Sequence, residues 1–238
     1  MNTLCKATAI IVAAGTGSRM KASINKQYLL LSGNPVLAHT LDVFEKSEFI
    51  SEIIVVINKD EHKQFEDFIL TPFKFSKIKS IIGGGADRQE SVYNGLAMVS
   101  PEAEIVCVHD GARPFVTLDN IKESVIAAGK TGAACVGVLC KDTIKQADKS
   151  GIVEKTLDRT TLWAVQTPQV FKSDILLNAH EKAISDGFRG TDDCVLVERL
   201  GQAVQMIMGS YSNIKITTPE DLAFAETIVK ERILSEPK

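Results

Sequence analysis

The chain has 238 residues, 45% hydrophobic and 24% charged, the balance of an ordinary soluble globular protein large enough to bury a core. A formal net charge of −3 argues against the extended basic face that nucleic acid or a membrane surface favours, so an anionic ligand has to be held by local clusters of cations. The five cysteines form no C-x-x-C pair, the N-terminus lacks a leader pattern, and no apolar run reaches the roughly 18 residues of a membrane span; a reduced, cytoplasmic protein is expected.

The first element is an apolar, β-branched run, Thr8-Ala-Ile-Ile-Val12, that breaks at Ala13-Ala-Gly-Thr-Gly-Ser-Arg-Met20 into small residues and glycines. This reads as a buried strand feeding a loop whose backbone N–H groups can lie against a ligand, and Arg19 and Lys26 add two cations that suit a polyphosphate. The spacing is not that of a P-loop, because Met20, Lys21 and Ala22 stand where Gly-Lys-Ser/Thr is required, and a dinucleotide fingerprint would need a glycine at Met20. An ordinary glycine turn accounts for Gly15 and Gly17 but gives no reason for Arg19 and Lys26.

Pro35 to Lys46 places Leu37, Leu41 and Phe44 on one helical face, and Glu52 to Ile57 reads as a second buried strand. A polar, partly helical stretch with Phe65, Phe68 and Ile69 leads to a short strand at Ile78 to Ile82. Gly83-Gly-Gly-Ala-Asp-Arg-Gln-Glu-Ser91 then precedes a helix carrying Val92, Leu96 and Val99. This second passage from strand through glycines to helix suggests another edge of one ligand pocket, although Asp87 and Glu90 also suit the positive end of any helix. Ile105 to Val108 is the next strand, and His109-Asp-Gly-Ala-Arg-Pro114 falls at its carboxyl end, where open α/β sheets bind ligands. There Asp110 can hold a metal or a hydroxyl while Arg113 takes a phosphate; alternatively the two pair to close a turn. His109 reads as an oriented structural residue.

A helix from Leu118 to Ala128 and a strand from Gly132 to Leu139 complete an alternation that implies an α/β fold with a mostly parallel central sheet and helices on both faces. The rhythm breaks at Asp142. Thr143 to Ala147 and Ile152 to Leu157 flank Asp148-Lys-Ser-Gly151 and predict a projecting β-hairpin. Such an arm has too little apolar surface to stand alone, so it is expected to pack on a second subunit. Beyond it, Thr167 is extended before Pro168, a helix spans Ser173 to Asp186, and Thr191 is the expected N-cap of a helix through Leu200. Ala203 to Met208 and Ser212 to Ile216 are expected as closing strands, and a final helix starts at Pro219. Lys215, just before that start, is a solvated lysine unless the fold carries it to the pocket. The chain is expected to be one domain, 1–238, with residues 142–158 as the arm.

Taken together these blocks resemble the 2-C-methyl-D-erythritol 4-phosphate cytidylyltransferase family, within the nucleotidyltransferases of Rossmann-like fold. The resemblance covers essentially the whole chain and rests on Ala13 to Met20 with Lys26-Gln-Tyr28, Gly84 to Arg88 with Ser91, His109 to Pro114, Asp142-Thr143, Asp158-Arg159, Gln166 to Gln169, Thr191 to Asp193, and Asn213 to Asp221. It implies an enzyme joining CTP to a polyol phosphate in the non-mevalonate isoprenoid precursor pathway, with release of pyrophosphate. It further implies that Ala13, Ala14, Gly15, Thr16 and Gly17 wrap the triphosphate, that Arg19 and Lys26 neutralise it, and that Gly84, Gly85 and Ser91 contact the cytosine. Asp110 would serve the ribose and a Mg2+ ion. Gly111, Arg113, Thr167, Thr191 and Lys215 would line the acceptor side, with Thr143 and Arg159 reaching in from the other subunit of a homodimer; Arg159 and Lys215 would orient the attacking phosphate. The family's proline before Ala-Ala-Gly is Val12 here. A sister family, the ribitol 5-phosphate cytidylyltransferases, shares most blocks but tends to carry valine in the place of Ala112, which favours methylerythritol. A nucleotide-binding regulatory protein without catalysis is the alternative of a different class.

Overall fold

The structure, a computed structural model, describes residues 6–15 and 25–235. In chain order its elements are β1 (Ala7–Ala13), α1 (Val36–Lys46), β2 (Ile50–Ile57), α2 (His62–Phe65), β3 (Ile78–Gly83), α3 (Arg88–Leu96), β4 (Ile105–Asp110), α4 (Leu118–Thr131), β5 (Ala133–Leu139), β6 (Lys145–Ala147), β7 (Val153–Thr156), β8 (Trp163–Lys172), α5 (Ser173–Ser185), α6 (Asp193–Glu198), β9 (Gln205–Met208) and α7 (Pro219–Ser235). A short 3-10 turn, Lys26–Tyr28, precedes α1.

Seven strands form one sheet in the order β9-β5-β8-β4-β1-β2-β3. Every pairing is parallel except the two made by β8, which runs antiparallel between β4 and β5. Ile11, Val55 and Cys107 face one layer, with Leu37, Leu41 and Phe44 of α1 and Ile121 and Val125 of α4. Ile10, Ile54 and Val106 face the other, with Val92 and Leu96 of α3, Leu176 of α5 and Leu196 of α6. Burial on both faces is why these strands read as unbroken apolar runs. A third cluster seats Ala225 and Ile228 of α7 on Leu31, Val36, Phe115 and Ile216.

Helix starts follow local chemistry. Asp87 accepts from the Glu90 N–H at 2.8 Å to cap α3, and Thr117 accepts from the Asn120 N–H at 3.1 Å to cap α4. Two expectations are corrected. The cap of α6 is Asp192, which accepts from the Val195 N–H at 3.0 Å, while Thr191 lies exposed one residue before it. Ser212 to Ile216 is no strand: the Asn213 and Ile214 N–H groups bond locally to the Ser210 and Ser212 carbonyls, and the Ile216 N–H makes a single long-range bond to Ala112 O, so this backbone is satisfied by turns and an isolated bond rather than by a ladder.

The hairpin is present as β6 paired antiparallel with β7, every residue of both strands exposed. Its turn is tied by Asp148, whose Oδ1 accepts from the Ser150 N–H at 2.8 Å and the Ile152 N–H at 3.0 Å, with Gly151 at a φ of 86° that glycine adopts freely.

Candidate active site

Chain order places the site. From β1 the chain builds outward through β2 to β3 on one side, then returns to lay β4 against the other side of β1. The crevice at such a reversal, outside the carboxyl ends of the strands, is where open α/β sheets bind ligands. A cavity of about 640 Å³ opens there. It is lined by Ala13, Ala14 and Gly15 at the end of β1, Asn58 and Lys59 after β2, Gly84, Gly85, Arg88 and Ser91 at the entry to α3, Asp110 and Ala112 at the end of β4, and Lys26 and Lys215. Four cationic side chains face two carboxylates on this wall, Asp87 and Asp110, in a chain whose net charge is negative. That local surplus suits an anion.

The glycine edge is close-packed. A Cβ on Gly84 would fall 2.3 Å from the Ala14 Cβ and 2.8 Å from the Ser91 Oγ, so only glycine lets β3 pass beside the first loop. The Ser91 hydroxyl donates to Asp87 O at 2.7 Å and accepts from the Gly85 N–H at 3.1 Å, which shapes the turn.

Asp110 is the electrostatic centre. Lys215 Nζ lies 2.8 Å from its Oδ2, Arg88 Nε 3.2 Å from its Oδ1, and Arg113 Nε 3.5 Å from Oδ2 as an ion pair without hydrogen-bond geometry. Burial pushes the Asp110 carboxyl up, but Arg88, Lys215 and Arg113 outweigh it and hold the group ionised, well below the usual carboxylate range. Arg88 also reaches Asp193 with Nη1 at 2.7 Å, and the other Asp193 oxygen meets His180 Nε2 at 3.1 Å. Beneath Asp110, buried His109 lies 3.1 Å from Arg113 O through Nε2 and 3.0 Å from the Thr167 hydroxyl through Nδ1.

Lys215 is carried in by a staple of amides. Asn213 Nδ2 donates to Thr167 O at 3.0 Å and Gln166 Oε1 at 3.2 Å, and Arg113 Nη1 donates to Asn213 O at 2.8 Å. Two residues past Lys215, the Thr217 N–H and hydroxyl both donate to Asp221 Oδ2, starting α7. Lys26 Nζ donates to Ile216 O at 3.2 Å, so both ammonium groups stand at one wall.

Of the residues expected at the site, Ala13, Ala14, Gly15, Lys26, Gly84, Gly85, Ser91, Asp110 and Lys215 meet at this cavity. Thr16, Gly17 and Arg19 lie outside the described residues. Gly111 is buried, its N–H on Val12 O and its carbonyl on the Thr40 hydroxyl. Thr167 is buried too, its hydroxyl accepting from the Asp110 N–H at 3.1 Å as well as meeting His109, so the fold itself occupies a group expected on the acceptor side. Thr143, Arg159 and Thr191 are exposed and line no part of the cavity in the single chain; Arg159 Nη1 bonds to Lys141 O. Sequence reasoning gives no role to Arg88, Gln27 or Asp193, although each lies inside a block that carries the family resemblance, and does not mark Glu61 at all.

A model of the family described as IspD, 2-C-methyl-D-erythritol 4-phosphate cytidylyltransferase, matches residues 7–231. The chain belongs to that family. A cytidylyltransferase of this name from Caldanaerobacter subterraneus subsp. tengcongensis is 49% identical over 224 residues, covering 94% of this chain and 99% of the relative. One from Geobacillus kaustophilus is 50% identical over 225 residues, covering 94% and 97%. Among solved structures, the 4-diphosphocytidyl-2C-methyl-D-erythritol synthase of Anaerococcus prevotii superposes with a TM-score of 0.85 at 35% identity, covering 94% of this chain and 96% of that one. The cytidylyltransferase of Thermus thermophilus does so with a TM-score of 0.78 at 31% identity, covering 94% and 99%. Family membership makes this chain a nucleotidyltransferase and gives the cation-lined crevice its context. Among the described residues no helix is long and apolar enough to cross a membrane.

Proposed function

We propose that this chain transfers the cytidylyl group of CTP to 2-C-methyl-D-erythritol 4-phosphate, in the cytoplasm, as a homodimer with shared active sites. The observation that carries the reading is the convergence of Lys26, Arg88, Asp110 and Lys215 on one crevice beside a glycine edge. A phosphate oxygen of the acceptor attacks the α-phosphorus; the bond between that phosphorus and the bridging oxygen breaks, and pyrophosphate leaves with the electron pair. The obstacle is bringing two anions together while charge grows on the leaving group, so positioning and electrostatics supply most of the acceleration. Lys26 and, by resemblance, Arg19 neutralise the triphosphate; Lys215 and a partner's Arg159 orient the attacking phosphate, beside Arg113, Thr191 and a partner's Thr143.

The donor set fits Mg2+ that arrives with the nucleotide. No cluster of three or more acidic, His or Cys side chains able to hold an ion exists among the described residues, but Mg2+ commonly takes one or two carboxylates plus substrate phosphates, and Asp110 is an ionised carboxylate on the cavity wall. Bound there, Mg2+ would offset phosphate charge.

Pyrophosphate release, measured with each of four NTPs against methylerythritol phosphate and ribitol phosphate, tests the proposal. Turnover confined to CTP with methylerythritol phosphate is expected. Faster turnover of ribitol phosphate would reassign the substrate, and no turnover with any pair would point to a regulatory protein.

A further inference from the structure

Asp110 divides its oxygens: Oδ2 faces Lys215 at 2.8 Å and Oδ1 faces Arg88 Nε at 3.2 Å. Arg88 is itself anchored from behind, because its Nη1 meets Asp193 at 2.7 Å and Asp193 is 1% exposed. Asp193 in turn is fixed by His180 Nε2 on Oδ1 and by its own N–H donating to Gln169 Oε1 at 3.1 Å. One guanidinium therefore spans two carboxylates, one sealed inside and one at the cavity wall. Arginine's planar fork can bridge such a pair, whereas a lysine ammonium on its flexible stem is a single point charge. A purely structural Arg88 would be satisfied by Asp193; its second bond goes instead to a carboxylate lining the cavity, beside the space a triphosphate would fill.

We propose that Arg88 is a positioning residue for cytidylyl transfer, acting through Asp110: it fixes Oδ1 and so aims Oδ2 at Lys215 and the incoming reactants. This rests on the cytidylyltransferase reading of the same site. Arg88→Lys keeps the charge but cannot hold both carboxylates, and kcat is expected to fall by about 10–100-fold, by analogy with the range seen when outer-shell partners of metal ligands are removed. KM for the acceptor should move far less, and the melting temperature little. In an Asp110→Asn background the same change should cost nothing further, because residues that act as a unit are not additive.

If Arg88→Lys keeps the wild-type kcat, or if its loss multiplies with that of Asp110→Asn, the inference is overturned. Should Arg88→Lys fail to fold, Arg88→Met with Asp193→Asn removes both charges together and leaves no unpaired buried carboxylate at position 193. A wild-type kcat in that pair would also overturn it. Wild-type protein that releases pyrophosphate from no substrate pair sinks the cytidylyltransferase reading itself, whereas active wild type with an unaffected Arg88→Lys sinks only the role given to Arg88.

Discussion

His109 shows how one residue's surroundings set both its chemistry and a pH limit on the fold. A carbonyl can only accept, so Nε2 carries the proton toward Arg113 O, and Nδ1 is left to accept from the Thr167 hydroxyl. Burial pushes this imidazole down from 6.5 to about 4, against smaller opposing effects of Arg113 O and Asp110. The unfolded chain therefore binds the extra proton first. The stability that depends on neutral His109 is complete above pH 6.5 and is lost as pH falls toward 4, on the order of 3 kcal/mol in all. Denaturant titrations across that window should show the loss, and His109→Gln should flatten it; an unchanged slope in the variant would assign the effect elsewhere. Lys26 poses the catalytic counterpart. Lys26→Ala is expected to lower kcat by about 10²–10³-fold, as removal of one charge-stabilising donor does, while KM for the acceptor phosphate changes much less. Equal effects on both in steady-state kinetics would contradict its assignment to the triphosphate.

Among the elements, the 3-10 turn Lys26–Tyr28 is held by a carboxylate from the loop after β2. Glu61 accepts from Asn25 Nδ2 at 2.7 Å on one oxygen and from Gln27 Nε2 at 2.9 Å on the other, and Gln27 also donates to Ala13 O at 2.6 Å. The residues flanking Lys26 are thus tied to the ends of both β1 and β2. Glu61→Gln sets one N–H donor against another, at a cost of about 1–3 kcal/mol. Hydrogen exchange at the Tyr28 and Leu29 amides, which close the turn onto Asn25 O and Lys26 O, should accelerate by about tenfold or more, since 1.4 kcal/mol is a factor of ten. Unchanged protection there would show that Glu61 does not hold the turn. Sequence spacing marks Lys26 as a cation after a glycine loop, but Glu61 lies far along the chain, and only the pairing of β1 with β2 brings it near.

At the scale of the whole molecule, the hairpin is a piece that the contacts of the single chain do not explain. Ile152 is 68% and Val153 53% exposed, whereas the two main core clusters contain no residue of β6 or β7. Removing residues 143–157 and closing the gap with a short glycine linker is therefore expected to leave the melting temperature nearly unchanged, to give a monomer by sedimentation, and to abolish activity. A truncated protein that remains dimeric would refute the arm's role in assembly. If the proposed site is shared between subunits, verified heterodimers of an Arg159→Ala chain with a Lys26→Ala chain should recover part of the activity that each homodimer lacks, and no recovery would contradict a site built from two subunits.

What the amino-acid order determines here is local: buried parallel strands appear as unbroken apolar runs, helix starts as Asp87, Thr117 and Thr217 with their partners a few residues on, and the turns that line the cavity as glycine clusters. Those signals depend on neighbours in the chain, and they suffice for the α/β alternation and for much of the candidate site. Tertiary structure decided the rest. The antiparallel insertion of β8 between β4 and β5 has the same two-residue period as a parallel strand, so the sequence carries no sign of its direction. Thr191 and Asp192 are both competent caps, and backbone geometry selected the second. The Asp110–Arg88–Asp193 bridge joins residues up to 105 positions apart, and its charges become strongly coupled only when the fold takes them out of water.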